Sequence, residues 1–323
     1  MKINMPVVPA RWRVPVAFAA VYLIWGSTYL AIRFAVETMP PFLMAGTRFL
    51  IAGTFLYAVV RRRGATAPIR LHWRSAFIVG ALMLLGGNGG VVWAEQVVPS
   101  SIASLMVATV PLWMVMLNWL RGDRIRPTLG VAMGLAMGMA GIVLLVSTGA
   151  SRGAGGQALH TTGLLVLAAG SLSWAVGSLY SRRAPLPRDA MLGTAMEMLA
   201  GGLLLFLAGL AGGEAGRIAW QDFSSRSILA FVYLVTMGSL VGFSAYIWLL
   251  RNTTPAKAST YAFVNPVVAV LLGWGLAGEP LTARTLVAAA VIIGGVALIT
   301  TYQPRALPAR SPDPRLQPGE ECP

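Results

Sequence analysis

Charge is scarce in this sequence, and cysteine and histidine are scarcer still. Only 11% of the 323 residues are charged while 56% are apolar, against about 25% charged in an ordinary soluble domain. A chain so poor in charge cannot cover a globular surface with polar groups, which excludes water as its only solvent. The single cysteine, Cys322, lies at the extreme C-terminal end, so a disulfide framework and a cysteine-based metal site are both excluded. The two histidines, His72 and His160, sit apart in loop sequence, and no metal site is expected. The apolar stretches offer neither histidine nor adjacent acids, the groups that an intramembrane enzyme would need at depth. No Walker sequence is present, so ATP is not the internal energy source, and no cofactor is expected.

What the chain has in quantity is apolar sequence in windows of about 20 residues, each long enough to cross ~30 Å of hydrocarbon. Ten such spans are expected, at 14–36, 41–60, 73–94, 101–120, 128–147, 161–181, 190–210, 227–250, 256–277 and 282–301. This makes the chain an all-α integral membrane protein with the lipid bilayer as its solvent. Lys2, Arg11 and Arg13 precede the first run, and Ala17-Phe18-Ala19 mimics a cleavage box. The run continues to Val36, too long for a signal peptide and right for a retained helix. Turn chemistry separates the spans: Met39-Pro40-Pro41 cannot continue a helix, and Val98-Pro99-Ser100-Ser101 is expected to cap the fourth.

The net charge of +14 invites a nucleic-acid reading, but the basic residues fall singly or in twos and threes in alternate short loops. There they set orientation by the positive-inside rule and place both termini in the cytoplasm, with no nucleic-acid partner. After Gln303 the sequence is rich in proline and arginine, which reads as a disordered cytoplasmic tail, 303–323; residues 1–13 form a short cytoplasmic segment at the other end.

The chain repeats itself. NGGVVWAEQVVPSSIASLMVATVP from Asn88 is answered by FSAYIWLLRNTTPAKASTYAFVNP from Phe243, at an offset of 155 (248 less 93), so that Trp93 meets Trp248, Ser104 meets Ser259 and Pro111 meets Pro266. The opening spans match at an offset of 149 (174 less 25): Trp25 meets Trp174, Arg48 meets Glu197, Leu50 meets Leu199 and Gly53 meets Gly202. Two units are expected, 14–150 and 151–302. With five spans each, an odd number, the second must enter the membrane from the opposite side, giving inverted-topology repeats.

Several residues are candidates for function, each with a bland alternative. Pro111 and Pro266 remove a helical N–H donor, and are gating bends or static kinks. Asn88, among Gly86, Gly87, Gly89 and Gly90, is a substrate ligand or an interhelical hydrogen bond; Asn265 carries the same ambiguity. Trp25, flanked by Tyr22 and Tyr29, and Trp174 lie half-way along their spans, where they offer a flat apolar wall to an amphipathic solute or simply pack. Trp93 and Trp248 read as interface anchors. Arg48 and Glu197, the charges well inside spans, form a substrate-charge site, a gate or a structural ion pair. Glu95 is a proton acceptor or a solvated helix end. Asp123 and Glu279 read as loop ion pairs with neighbouring arginines. Ser104, Ser178 and Tyr246 complete the candidate substrate-binding set. Gly130, Gly134 and Gly138 form a small-xxx-small stripe for close packing within the subunit or for a homodimer seam.

Trp25-Gly26-Ser27-Thr28, Thr47-Arg48-Phe49-Leu50, Trp93-Ala94-Glu95-Gln96 with Pro99, Pro111-Leu112, Asn265-Pro266 and Gly278-Glu279-Pro280 give the chain its resemblance to the drug/metabolite transporter superfamily, as a ten-helix member with two tandem EamA-type domains. The resemblance implies a multi-pass bacterial inner-membrane protein that exports small metabolites, often amino acids, or drug-like compounds by alternating access around a central cavity. A passive facilitator is the alternative. The repeat is broken where Asn88 meets Phe243 and Glu95 meets Leu250, so a chemically lopsided cavity is expected.

Overall fold

The computed structural model describes residues 10–120, 128–146, 161–253 and 261–302. Every element among them is helical. The chain runs through α1 (10–36), α2 (Pro41–Arg62), α3 (70–94), α4 (Ser100–Val107), α5 (Val110–Leu120), α6 (Leu129–Val146), α7 (Thr161–Ser181), α8 (Ala190–Ala211), α9 (225–252), α10 (Tyr261–Ala277) and α11 (Ala283–Tyr302). Six of these, α1, α2, α3, α7, α8 and α9, are long and apolar enough to cross a membrane, and shorter apolar helices occupy 100–114, 129–141, 264–277 and 283–299. Three long helices are thus followed by shorter ones, twice over. Cys322, His160, Asp123 and the expected tail lie outside the described residues.

Helices that share a lipid solvent gain nothing from hydrophobic exclusion of one by another, so they associate where small residues let backbones approach. The α2–α8 seam is built this way. A Cβ added at Gly53 would lie 3.0 Å from the backbone nitrogen of Leu199, and one at Gly202 would lie 2.9 Å from that of Leu50. The two contacts are reciprocal at the repeat offset. Gly46 meets Phe206 further along, so the chain numbers rise on one helix as they fall on the other and the pair is antiparallel. The α6–α11 seam repeats the arrangement, with the Cβ position of Gly134 at 2.5 Å from the carbonyl of Gly295 and that of Gly295 at 2.7 Å from the carbonyl of Gly134. Gly130 and Gly138 pack on Tyr302 and Leu112. The glycine stripe is therefore spent on contacts inside the chain. Two turns also correspond: Gly64 (φ 90°) follows α2 and Gly213 (φ 73°) follows α8, a left-handed backbone that glycine adopts without steric cost.

The expected cap at Val98-Pro99-Ser100-Ser101 does not form from its own side chains: Ser100 and Ser101 lie inside α4, and its N-cap, Pro99, supplies no side-chain cap. Glu279 does so from the loop after α10. Its Oε1 accepts from the Ser100 backbone N–H at 2.8 Å and the Ser100 hydroxyl at 2.6 Å, and its Oε2 accepts from the Ser101 N–H at 3.0 Å. Glu279 is thus a long-range helix cap rather than half of a loop ion pair, because a carboxylate beside unpaired N–H groups at the positive end of a helix satisfies both. Glu214 does the same for α2, accepting from Phe42 N at 3.2 Å and Leu43 N at 2.8 Å.

Two outcomes are expected in thermal unfolding of the purified protein. Gly202→Ala forces apart the α2–α8 backbones and lowers stability by about 1–3 kcal/mol, whereas Gly275→Ala, where a Cβ meets open space, leaves it unchanged. Glu279→Gln, which replaces one acceptor oxygen by a donor nitrogen, costs about 1–2 kcal/mol; an unchanged midpoint would refute the capping role.

Candidate functional site

α1, α3 and α9 are not uniform α-helices. Each contains a π-helical stretch, at Val21–Trp25, Gly80–Asn88 and Leu234–Phe243. The last two coincide at the repeat offset of 155 (243 less 88). A π turn carries an extra residue and widens the helix, and such segments recur at functional sites. Here they receive the two mid-span tryptophans. Trp25 of α1 lies on α9, its indole Nε1 donating to the Gly238 carbonyl at 3.4 Å and sitting 2.7 Å from where a Cβ of Gly242 would be. Trp174 of α7 lies on α3, its Cε3 2.8 Å from the Cβ position of Gly87. Gly87 and Gly242 are repeat equivalents, as are the tryptophans, so each partner glycine belongs to the other half of the chain.

Between these seats the helices leave a cavity enclosing about 710 Å³ of empty space, its open part included. Trp25 and Trp174 meet edge to face at 5.9 Å between ring centres. Trp25 also packs on Tyr246 at 4.8 Å and Tyr261 at 5.5 Å, and Phe243 lies 6.5 Å from Trp174. The rings form one continuous wall.

The polar side of the cavity comes from α2 and α3. Arg48 is 3% exposed and faces the cavity with Asn88. Its Nη2 donates to Asn88 Oδ1 at 3.1 Å, and its guanidinium carbon stands 4.2 Å over the Phe49 ring. Asn88 therefore makes an interhelical hydrogen bond and also lines the cavity. At its repeat position the second half places Phe243, which lines the same cavity, so the two sides differ chemically. Glu197, the counterpart of Arg48, has a different neighbourhood: it accepts from the Ser181 hydroxyl at 3.4 Å, at the end of α7.

Trp25, Tyr29, Arg48, Asn88 and Trp174 are thus brought together around one space. The other candidates are not in its lining. Tyr246 stands behind Trp25, and Ser178 behind Tyr246. The Ser104 hydroxyl donates to Ser101 within α4 at 2.7 Å. Asn265, with its amide nitrogen turned inward, donates to the carbonyls of Tyr261 at 3.3 Å and Tyr22 at 3.2 Å. It fastens α10 to α1. Glu95 is 0% exposed, a correction to the solvated helix end, because α3 stops inside the protein; Arg33 Nη1 donates to its backbone carbonyl at 2.5 Å.

Pro111 and Pro266 behave differently. The expected span at 101–120 is broken at Ala108–Thr109 into α4 and α5, with Pro111 in the first turn of the second piece. The Met106 carbonyl at the break accepts from the Thr109 hydroxyl at 2.6 Å and from Ser171 of α7 at 3.1 Å. Pro266 stays inside a continuous α10. Tyr261, Ser171 and Phe243 are lining residues that sequence reasoning missed. Phe243 carried a signal, being the repeat equivalent of Asn88, and Tyr261 is likewise the equivalent of Met106, whose carbonyl closes the α4 break.

The chain matches the model of the EamA-like transporter family twice, over residues 13–147 and 161–301. It is 45% identical over 285 residues to the "Uncharacterized inner membrane transporter YedA" of Escherichia coli K12, covering 88% of this chain and 89% of that protein. It is 25% identical to "Protein PagO" of Salmonella typhimurium, over 92% of this chain and 95% of that one. A solved crystal structure, 25% identical, superposes with a TM-score of 0.61 over 92% of this chain and all of the other. The halves exchanging tryptophans across the cavity are the two matched segments, and the chain belongs to the EamA-like transporter family.

Proposed function

We propose that this protein is a secondary transporter that exports small amphipathic metabolites or drug-like molecules across the bacterial inner membrane by alternating access. The observation that carries the reading is the exchanged pair of tryptophans. Trp25 and Trp174 each seat on a glycine of the opposite half's π-helical stretch, so the wall of the cavity is made by both halves and must change when they move against each other. The π stretches in α3 and α9 and the break between α4 and α5 are the places where such motion is absorbed, since their backbone bonding already departs from the regular i to i−4 ladder.

The same reading makes the chain ten membrane spans in two inverted five-helix repeats, α4 and α5 together counting as one. Antiparallel packing of equivalent helices, α2 on α8 and α6 on α11, supports it, because a two-fold axis in the membrane plane reverses helix direction and an axis along the membrane normal does not. The distribution of arginine and lysine supports cytoplasmic termini. Binding energy comes from aromatic surface with few polar groups, which suits a solute with an apolar body and one polar end.

In proteoliposomes the protein is expected to give saturable flux and counterflow of such a solute. Trp25→Ala reduces the flux at least ten-fold while Trp220→Ala, exposed at the surface, leaves it intact. Flux that rises linearly with concentration and shows no counterflow would make the protein a channel-like facilitator instead.

A further inference from the structure

The cavity carries a formal charge that no carboxylate among the described residues meets by hydrogen bonding. Arg48 is buried to 3% exposure, yet its Nε and Nη1 have no hydrogen-bond partner. A guanidinium has five N–H donors in a fixed plane and keeps its charge in proteins. Leaving buried donors unmade is costly, so a residue of the cavity lining that keeps two such groups unmet is short of an acceptor. Asn88 supplies one oxygen to Nη2. Glu95 acts on Arg48 through charge alone, from about 10 Å further along α3 than Asn88 and from outside the cavity lining. Glu197 accepts from Ser181 instead.

We infer that the ligand of this cavity is an organic monoanion, a carboxylate attached to a flat apolar body, whose oxygens take up the free donors of Arg48 while its body lies against Trp25, Trp174 and Tyr261. The inference deepens the transporter reading and rests on it only for the step from binding to flux. One guanidinium balances one negative charge. A phosphate monoester dianion would leave an uncompensated charge among aromatic walls, and an amine would set a like charge beside a buried cation, each of which is costly away from bulk solvent. The planar fork of arginine matches two carboxylate oxygens in a way that lysine cannot.

The test is a titration of the purified full chain, followed by tryptophan fluorescence and thermal shift, with four probes sharing one body: 3-phenylpropanoate, 3-phenylpropanamide, 3-phenylpropylamine and 3-phenylpropyl phosphate. The carboxylate is expected to bind at least ten-fold more tightly than the amide and more tightly than the amine and the phosphate. Arg48→Gln is expected to weaken the carboxylate at least 30-fold while leaving the amide within about three-fold, and Arg48→Lys to fall between. Should Arg48→Gln fail to fold, the order of the four probes on the unaltered protein still decides. Equal or tighter binding of the amide, amine or phosphate overturns the inference, as does the absence of binding by every probe. Carboxylate binding without flux in proteoliposomes upholds it and counts against the transporter reading. Flux of a cationic or neutral solute with no carboxylate binding does the reverse.

Discussion

Close approach of backbone to backbone, made possible by glycine, is the constraint on which the rest of this structure depends. Within a bilayer the apolar faces of helices find lipid tails as agreeable as each other, so the two halves of the chain are joined by fit. Gly53 on Leu199 and Gly202 on Leu50 set how near α2 comes to α8, and Gly134 against Gly295 does the same for α6 and α11. The same device seats the cavity tryptophans, since a side chain at Gly87 or Gly242 would occupy the space of an indole ring. Seams and site obey one rule, and the distance between the halves decides the width of the cavity.

A second constraint follows from the solvent. Irregular backbone at membrane depth is tolerated only where protein satisfies its polar groups. The break between α4 and α5 obeys this, with Thr109 and Ser171 serving the Met106 carbonyl. At the helix ends, Glu279 and Glu214 reach across the fold to N–H groups that a helix cannot satisfy alone. Arg48 departs from this rule: its Nε and Nη1 have no partner, and the residue lines a cavity walled with aromatic rings.

Much of the architecture could be read in advance because it rests on composition and period. Apolar windows located the long helices among the described residues, with ends displaced by a few positions: α1 starts at Ala10 rather than 14, and α9 runs to Asn252. The repeat named Trp25 and Trp174 as a pair, and the scarcity of charge within spans singled out Arg48. Reading failed where the deciding partner lies far along the chain. Glu279 looked like a loop acid because Ser100, which it binds, is 179 residues away. Glu95 looked solvated because its position in sequence, at a helix end, says nothing of what packs over that end. Asn88 and Asn265 looked alike, yet one lines the cavity and the other bridges α10 to α1.

The sequence by itself determined the solvent, the helices, the doubling of the chain and the family. These follow from local apolar length and from residues kept in register, both of which are properties of the chain read as a line. Only the tertiary structure decided which buried polar groups face empty space and which face each other, where the π turns fall, and that each half supplies the glycine seat for the other's tryptophan. Those are outcomes of how closely helices far apart in sequence can approach, and that distance is set by pairs of residues in contact across the fold, which no stretch of sequence contains.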